Sequence, residues 1–428
     1  MTQCTIDVDH IARVEGHGNV HVVVEGGQVK DVEMNIVEPI RLFESMVRGR
    51  SYRDVSYIAS RVCGICSASH VVTDLKAIER IFGVELSQRT KMLRELLIYG
   101  SYLQNHGAHL FVFAAPDYLG ETSIFPVSKS NPELFSQALD LKSLGNELCT
   151  MVGGRSIHPI TAVIGGFTHE ISSQEYLDLA DKLESKVPFA LETVDLFNGF
   201  DICDVASDND YMALTQPGAY PVQASDTLTF VGSDESFDAN DITDHISEYQ
   251  VGHSAAFFAR RTSTDRPYMT GALARINASW ENLTPKAKVA AAKAGLRPPE
   301  RNPLRNNVAQ AVEIVDALER CAELCRELAE GDQKESLPRP FKVCAGSATG
   351  VTEAPRGTVA HQLVLDDKGV VQHASIITPT AQNLAAMESD IRKMATSLVA
   401  QGVTEDELVM DVEKMVRAYD PCLSCSVH

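Results

Sequence analysis

The sequence contains no long apolar run. Its longest strongly apolar stretch, residues 109–115 (HLFVFAA), is far shorter than the roughly 20 residues that a membrane-spanning helix needs. The first residues, MTQCTIDVDH, also lack the basic and apolar regions of a secretory signal. We therefore expect a cytoplasmic protein that does not enter a membrane.

Positive charge is also scarce. Lysine and arginine number 38 against 58 aspartates and glutamates, which gives a formal net charge of −20. A nucleic-acid-binding protein needs a basic face, and an anionic membrane surface would repel this chain. The sequence has no glycine-rich dinucleotide fingerprint either. We expect no nucleic acid, membrane or nucleotide to bind this chain.

Hydrophobic periodicity predicts a predominantly helical α+β fold. Ser172 and Glu175 form a capping box at the start of one long helical run. Apolar and polar residues alternate on both sides of Gly26-Gly27 and of residues 366–369, which predicts two β-hairpins. Other helical runs are predicted near residues 52–82, 87–114, 133–152, 284–295, 306–330, 382–400 and 405–418.

These elements predict a large central helix bundle with small β-sheets near the N-terminus and before the C-terminal helices. We expect one large domain, residues 1–428. Its expected parts are an N-terminal β-hairpin region (1–38), a helical body (39–200 and 284–330), an irregular or β-containing insertion (201–283), and a C-terminal β-hairpin with helices (340–428).

The cysteines carry the clearest chemical signal. Of 10 cysteines, four form two C-x-x-C pairs, Cys63 with Cys66 and Cys422 with Cys425. Four thiolates are a soft ligand set that suits zinc, an iron–sulfur cluster or another transition metal. The 355 residues that separate the pairs (67–421) are far more than a compact zinc ribbon uses. The spacing favours one four-thiolate centre and leaves zinc and nickel as alternatives.

The other six cysteines do not group in iron–sulfur spacing, and we expect them to be buried packing residues. Cys321 and Cys325 lie one helical turn apart in ERCAELCREL, which is typical of a packed helix face. We expect no iron–sulfur cluster on this chain, so that its electrons would need a partner that carries clusters.

Charged residues in two turns are candidates for proton transfer and ligand binding. Glu15, in RVEGH (13–17), could carry protons from a buried centre, although a solvated turn is the ordinary alternative. Pro355 makes a rigid turn that presents Arg356, whose planar donors suit anionic or lone-pair ligands, unless it forms a surface salt bridge. Asp117 follows two histidines, His106 and His109, in an apolar helix, where hydrogen-bonded core histidines are the simpler interpretation.

Together these motifs resemble the large subunit of nickel–iron hydrogenases over essentially the whole chain. The resemblance rests on RVEGH (13–17), RLFESMVRGR (41–50), RVCGICSASH (61–70), HGAHLFVFAAPD (106–117), GGRSIHP (153–159), EAPRG (353–357), TPTAQN (378–383) and DPCLSCSVH (420–428). The start of the chain and IITPTAQNLAAMESDIR look most like the soluble, cytoplasmic, NAD(P)-linked branch.

The resemblance implies a set of metal ligands. Cys63 and Cys422 match the terminal nickel thiolates, and Cys66 and Cys425 match the thiolates that bridge nickel to an iron with carbon monoxide and cyanide ligands. A second ion, Mg²⁺ or Fe²⁺, would be bound by the residues that match its ligands: Glu44, the carbonyl of Ile376, and His428.

Other matched residues surround that centre. His70 matches a hydrogen-bond donor to a bridging sulfur. Arg356, Pro355 and Thr380 match the pocket around the diatomic ligands. Asp117 is expected to hold the arginine of this pocket, and Glu15 matches the first carboxylate of a proton relay.

The resemblance implies reversible heterolytic cleavage of H2 to protons and electrons. Cys422 or Arg356 would accept the proton and Glu15 would pass it outward, while an iron–sulfur small subunit and a flavin-containing diaphorase-type module would carry the electrons to NAD(P). Relatives are typically made with a C-terminal extension, so a chain ending at His428 is expected to be mature or never to have carried one. The alternatives are a non-catalytic homologue from a respiratory complex and a zinc-stabilised structural protein.

Overall fold

The computed structural model of the protein describes residues 3–8 and 11–428. Its α-helices are α1 (Phe43–Val47), α2 (Tyr52–Ala59), α3 (Ser67–Phe82), α4 (Gln88–Ala108), α5 (Ala115–Leu119), α6 (Ile124–Ser130), α7 (Pro132–Gly153), α8 (Ser173–Asn198), α9 (Ile242–His245), α10 (Ala272–Ser279), α11 (Pro285–Lys293), α12 (Asn306–Ala329), α13 (Pro379–Gln401) and α14 (Glu405–Ala418).

Its strands are short and form several separate sheets. They are β1 (Gln3–Val8), β2 (Gly18–Glu25), β3 (Gln28–Ile36), β4 (Ala162–Val163), β5 (Gly166–Phe167), β6 (Asp210–Leu214), β7 (Thr227–Phe230), β8 (Ser236–Asp238), β9 (Ile246–Gln250), β10 (Phe257–Arg261), β11 (Tyr268–Met269), β12 (Gly346–Ala354), β13 (Gly357–Leu365) and β14 (Val371–Ile377). The predicted helical α+β class is confirmed.

The core is a bundle in which α12 packs against α8 and α4, and α4 packs against α7. Helix α12 is buried along most of its length, and Cys321 and Cys325 are both fully buried in it, which confirms the predicted packed face. The capping box before α8 is also present. Ser172 accepts from the Glu175 backbone, and the Glu175 side chain accepts from the Ser172 backbone. No helix in the described part of the chain has the length and apolarity to cross a membrane.

Both predicted hairpins are present, each as part of a three-stranded antiparallel sheet. The first sheet has the order β1-β2-β3, and Gly26 and Gly27 turn between β2 and β3 with φ of 58° and 75°. The second has the order β12-β13-β14, with Gly369 at φ 74° in the last turn. Positive φ is easy for glycine, which explains its use at both turns. Residues 1, 2, 9 and 10 of the predicted N-terminal hairpin region lie outside the described residues.

The region 201–283 contains the remaining larger sheets. A four-stranded sheet has the order β11-β6-β7-β8, in which β11 runs parallel to β6, and β9 pairs with β10. The predicted run 87–114 differs in one detail, because its last residues, His109–Ala114, form a π-helix. This wider turn holds His109 Nε2 2.6 Å from the carbonyl of Arg417, at the end of α14.

Segments near the two ends of the chain lie side by side and are hydrogen-bonded to each other. Glu15 pairs with Cys422 in an isolated parallel bridge, and the Leu423 N–H donates to the Glu15 carbonyl at 2.9 Å. Gly16 lies against this junction with φ 85°, and a Cβ there would be only 2.8 Å from the Ser424 nitrogen. The fold therefore brings RVEGH and the C-terminal motif into direct contact.

Candidate metal centre

The two C-x-x-C motifs meet in one buried cluster. Cys63 follows a 3-10 turn and Cys66 directly precedes α3, whereas Cys422 and Cys425 belong to the turn that ends the chain. The Sγ atoms of Cys63 and Cys422 lie 3.8 Å apart, and the four residues are at most 4 % exposed. The Sγ atoms of Cys63, Cys66 and Cys425 lie within 4.8 Å of one another.

The donor set fits a soft transition metal. Within each motif the two sulfurs lie close enough together to bind the same metal ion. Metals bind cysteine as the thiolate, so the four residues offer four thiolate ligands. Apolar side chains pack around the sulfurs, which keeps the site dry: Phe43, Val62, Ala354, Val359 and Ile376. Four thiolates in such surroundings suit nickel, iron or zinc better than a hard cation.

The half-buried carboxylate of Glu15 lies at the edge of the sulfur cluster. Cys422 Sγ donates to Glu15 Oε2 across 3.1 Å. Ser424 donates its N–H to the same oxygen at 3.2 Å and its hydroxyl to Oε1 at 2.6 Å. A carboxylate within hydrogen-bond reach of a thiol can accept or return its proton. Glu15 thus lies within reach of a proton on Cys422, and its role in a proton relay stays a prediction.

Arg356 presents unpaired donors close to the cluster. It lies two residues after Ala354, which packs in the apolar lining, and its Nε donates to Asp420 Oδ1 at 3.0 Å. Nη1 and Nη2 are buried, and within the described chain neither has a hydrogen-bond partner. Buried donors in native proteins are almost always satisfied, so these two are suited to a group with lone pairs held beside the cysteines.

The prediction for Asp117 is wrong. Its carboxylate accepts from Arg417 Nε at 2.6 Å and also pairs with Arg13, whereas Arg356 binds Asp420. The reason is topological. Asp117 lies in α5, directly after the π-helix that packs against α14, and Arg417 is on the last turn of α14. Asp420 instead belongs to the segment that carries Cys422.

Asp420 is a well-supported anion. Its Oδ2 accepts from Asn105 Nδ2 at 2.6 Å and from Gln310 Nε2 at 2.9 Å. Burial alone would raise the pKa of Asp420, but the charges of Arg356 and His109 and the hydrogen bond from Asn105 hold this pKa below its ordinary value. The ionised carboxylate therefore keeps Arg356 in place.

The three residues matched to a second ion also lie together. The Ile376 N–H donates to Glu44 Oε1 at 2.7 Å, and His428 Nε2 lies 3.9 Å from the same oxygen. Burial lowers the pKa of His428, which favours the neutral imidazole that binds metals. A carboxylate, a carbonyl and an imidazole can bind Mg²⁺ or Fe²⁺. The ion itself stays a prediction.

Thr380 is hydrogen-bonded to the cluster, whereas Pro355 is hydrogen-bonded to Arg275. Thr380 Oγ1 accepts from the Cys422 N–H at 2.9 Å, and the Pro355 carbonyl accepts from Arg275 Nη2 at 2.9 Å. Thr380 therefore fixes the backbone that carries one of the sulfurs. Their predicted contact with diatomic ligands stays a prediction.

His70 ends a chain of buried polar groups that sequence reasoning missed. His70 Nδ1 lies 2.9 Å from His361 Nε2, and His361 Nδ1 lies 2.7 Å from Asp74 Oδ1. Burial lowers the pKa of His70 well below its ordinary value, and the nearby His361 acts in the same direction. The signal in the sequence was a single histidine in the apolar strand β13. The predicted bond from His70 to a bridging sulfur stays a prediction.

These features define a class of protein. A carboxylate and a buried arginine border four buried cysteine sulfurs from both ends of the chain, as in an oxidoreductase with a thiolate-bound transition metal.

Comparisons with known proteins identify the family. The model of the nickel-dependent hydrogenase family matches residues 41–136 and 277–428. The alpha subunit of sulfhydrogenase 1 from Pyrococcus furiosus is 36% identical over 99% of this chain and 97% of its own length. The beta subunit of the NAD-reducing hydrogenase HoxS from Cupriavidus necator is 28% identical over 98% of this chain and 94% of its own. A crystal structure of an NAD+-reducing [NiFe]-hydrogenase in the H2-reduced state has a TM-score of 0.86 and 27% identity, with both chains fully covered.

The chain belongs to the nickel-dependent hydrogenase family. It is the catalytic large subunit of a hydrogenase, an oxidoreductase that acts on H2. The zinc-stabilised structural protein and the non-catalytic respiratory homologue are therefore set aside. All four cysteines are present and gathered in one cluster.

Proposed function

We propose that this subunit cleaves H2 reversibly and that its electrons pass through an iron–sulfur small subunit to NAD(P). The proposal rests on one observation, the 3.1 Å contact between the Glu15 carboxylate and Cys422 Sγ. Heterolytic cleavage needs a base beside the metal ligands, and Glu15 can serve as this base. Similarity to an NAD-reducing hydrogenase supports NAD(P) as the acceptor.

The four cysteines would hold nickel and iron. In this proposal Cys63 and Cys422 would hold nickel, and Cys66 and Cys425 would hold both nickel and an iron that carries carbon monoxide and cyanide. When bound, this centre supplies the polarisation that splits the apolar H2 molecule. The unpaired Nη1 and Nη2 donors of Arg356 support lone-pair ligands nearby, with Pro355 and Thr380 lining the same pocket.

The chain's own residues move the proton. Cys422 Sγ takes it first, and Glu15 receives it from this sulfur, with which it is hydrogen-bonded. Ser424 holds both carboxylate oxygens of Glu15, so that the acceptor stays aimed at the cluster. The apolar lining excludes water from the sulfur side, which directs the proton through Glu15.

A second ion, Mg²⁺ or Fe²⁺, is proposed at Glu44, the carbonyl of Ile376 and His428. Its support is the 2.7 Å contact of Glu44 with Ile376 and the burial of His428 at the end of the chain. Bound there, the ion would tie the C-terminal turn, and with it Cys425, to strand β14.

An exposed apolar segment beside the centre supports the partner. Arg41 binds the Val427 carbonyl through its N–H and the Val62 carbonyl through Nη1, both at 2.8 Å. Around it, apolar side chains are 44–58 % exposed: Val37, Ile40, Leu42 and Met46. Clustered exposed apolar residues indicate an interaction site. We propose that the iron–sulfur small subunit covers them and that a diaphorase-type module with flavin lies beyond it, in the cytoplasm.

Metal analysis tests the centre. The complex purified under reducing conditions should contain about one nickel per chain, with infrared bands of iron-bound carbon monoxide and cyanide. Cys422→Ser should remove nickel and activity, whereas the matched control Cys321→Ser, a buried cysteine of α12, should keep both. A Cys422→Ser enzyme with normal nickel content, or an active parent without these bands, would contradict the proposed centre.

Acceptor assays test the electron route. The complete complex should reduce NAD+ or NADP+ with H2, and removal of its flavin should abolish this reaction while H2-dependent reduction of viologen continues. Viologen reduction without reduction of either nucleotide by the flavin-loaded complex would contradict the acceptor.

A further inference from the structure

Arg275 binds the backbone immediately before Arg356. Its Nη1 donates to the Ala354 carbonyl and its Nη2 to the Pro355 carbonyl, both at 2.9 Å. The remaining bonds go to carboxylates: Nε and Nη2 to Glu313 at 2.6 and 2.8 Å, and Nη1 to Glu353 at 3.0 Å. Every N–H of this guanidinium is therefore used, and the side chain is only 2 % exposed.

The charge of Arg275 is well supported despite its burial. Burial would lower the pKa of Arg275, but the carboxylates of Glu313 and Glu353 outweigh it, and the pKa lies well above its ordinary value. Arg275 thus stays a planar cation that connects α12, through Glu313, to the turn between β12 and β13. A connection of this kind fixes both the distance and the orientation of that turn.

The backbone around the turn leaves little room for alternatives. Gly357 has φ 137°, and a Cβ there would lie 2.7 Å from Thr270 Cγ2. Thr270 Oγ1 also accepts from the Thr358 N–H at 2.7 Å, just before α10 begins at Ala272. Arg275 lies one turn into α10 and binds the carbonyls of residues 354 and 355. Thr270, just before the same helix, binds Thr358 on the other side of the turn.

The guanidinium of Arg356 depends on this support. Its only hydrogen bond within the described chain is the one from Nε to Asp420, and Nη1 and Nη2 are unpaired. One bond at Nε fixes the position of the guanidinium. The direction in which Nη1 and Nη2 point then depends on the backbone that carries the side chain. A displaced turn would therefore re-aim both donors.

We propose that Arg275 is a positioning residue for the hydrogenase reaction, which fixes residues 354–356 so that Nη1 and Nη2 of Arg356 face the cysteine-held centre. The inference rests on the proposed role of Arg356. Arg275 acts through the backbone and touches none of the four cysteines in the contacts described.

Three variants separate positioning from general stability. Arg275→Lys keeps the charge, but its single ammonium group cannot reproduce five donors in a plane. Arg94→Lys is the matched control, because Arg94 is equally buried, binds both oxygens of Glu79 at 2.5 Å, and lies away from the turn. Glu313→Gln is a second test variant, since it weakens the far anchor of Arg275 without altering the turn itself.

Hydrogen–deuterium exchange of the metal-free full-length chain gives a readout without catalysis. Arg275→Lys should raise exchange at least about threefold in peptides that span residues 352–358, whereas Arg94→Lys should leave these peptides unchanged. Unchanged exchange there in both Arg275→Lys and Glu313→Gln would overturn the proposal.

Turnover of the assembled complex per nickel atom gives the second readout. Because misplacement of about 1 Å can reduce a rate about a hundredfold, we expect Arg275→Lys to lower kcat about 10- to 100-fold with little change in the KM for H2. In an Arg356→Lys background the same change should have almost no further effect, since both act on one group. Full additivity in this cycle would overturn the proposal.

The outcomes also separate this inference from the function on which it rests. If Arg356→Lys alone keeps normal turnover per nickel, the proposed role of Arg356 fails and the inference fails with it. If Arg356→Lys is impaired but Arg275→Lys keeps normal turnover, only the positioning role of Arg275 is refuted.

Discussion

Asp390→Asn should stabilise the protein at pH 7 and leave its stability at pH 4 almost unchanged. Asp390 is buried on α13 and accepts hydrogen bonds from Ser207 Oγ and Tyr419 OH, both at 2.6 Å. Burial raises the pKa of Asp390 from 3.8 to about 6, because the ionised form is poorly solvated there. Tyr419 directly precedes Asp420, so this carboxyl anchors the segment that leads into the metal centre.

The sign follows from the direction of this pKa change. Because the folded-state pKa lies above the unfolded one, the contribution of Asp390 to stability is fully present below about pH 4 and is lost as the pH rises through 6. A change from 3.8 to about 6 corresponds to about 3 kcal/mol. Asparagine resembles the protonated carboxyl, with one acceptor and one donor position, so the variant does not lose this contribution at neutral pH.

Urea unfolding of the parent and the variant between pH 4 and 7.5 measures the effect. The difference in free energy of unfolding should grow from near zero at pH 4 to about 3 kcal/mol at pH 7, or about 3 °C in Tm for a chain of this length. Asp208→Asn is the control, because a hydrogen bond from Lys393 lowers the pKa of the exposed Asp208 and gives the opposite sign. Parallel stability curves for Asp390→Asn and the parent would refute the reasoning.

Three further substitutions test the site. Glu15→Gln should keep nickel and iron but stop exchange of H2 with D2O, because glutamine cannot carry the proton from Cys422; normal exchange per nickel atom would contradict this. Asp420→Asn should lower turnover per nickel about tenfold or more, since the charge-assisted bond to Arg356 contributes about 1.5–3 kcal/mol; turnover equal to the parent's would exclude such a role. Glu44→Gln should lower the content of magnesium or iron at the second site in elemental analysis while nickel is retained, and an unchanged content would argue against Glu44 as a ligand.

Local patterns predicted most of the helices and both hairpins. The capping box at Ser172 and the glycines at 26 and 27 are signals that neighbouring residues provide, and the structure places a helix start and a turn at these positions. Long-range features were not predictable in this way. The pairing of β11 with β6 joins segments more than 50 residues apart, and the π-helix at 109–114 depends on packing against α14.

The site shows the same division. The spacing of the cysteines and the resemblance to hydrogenases led to Cys63, Cys66, Cys422 and Cys425, which the fold brings together. The partner of Arg356 was misassigned, because Asp117 and Asp420 have the same side chain and only the fold decides which arginine each one contacts. Asp420 is the first residue of the motif DPCLSCSVH, two positions before Cys422. An acidic residue this close to a metal ligand was a signal that could have identified the partner of Arg356.

Buried charges mark where sequence reasoning can go further. Arg275 stands alone in the apolar helix ALARINAS, and Glu313 stands in AVEIVDAL, so each could be recognised as a charge that needs a partner. Which partner it finds depends on how α10 meets α12 and the turn after β12, and that is decided by packing over the whole chain. Because an unpaired charge in this core would be strongly destabilising, the pairing of Arg275 with Glu313 and Glu353 restricts how these elements can pack. Arg275 also binds the turn that carries Arg356. The stability of the core and the position of Arg356 beside the cysteines therefore depend on the contacts of the same side chain.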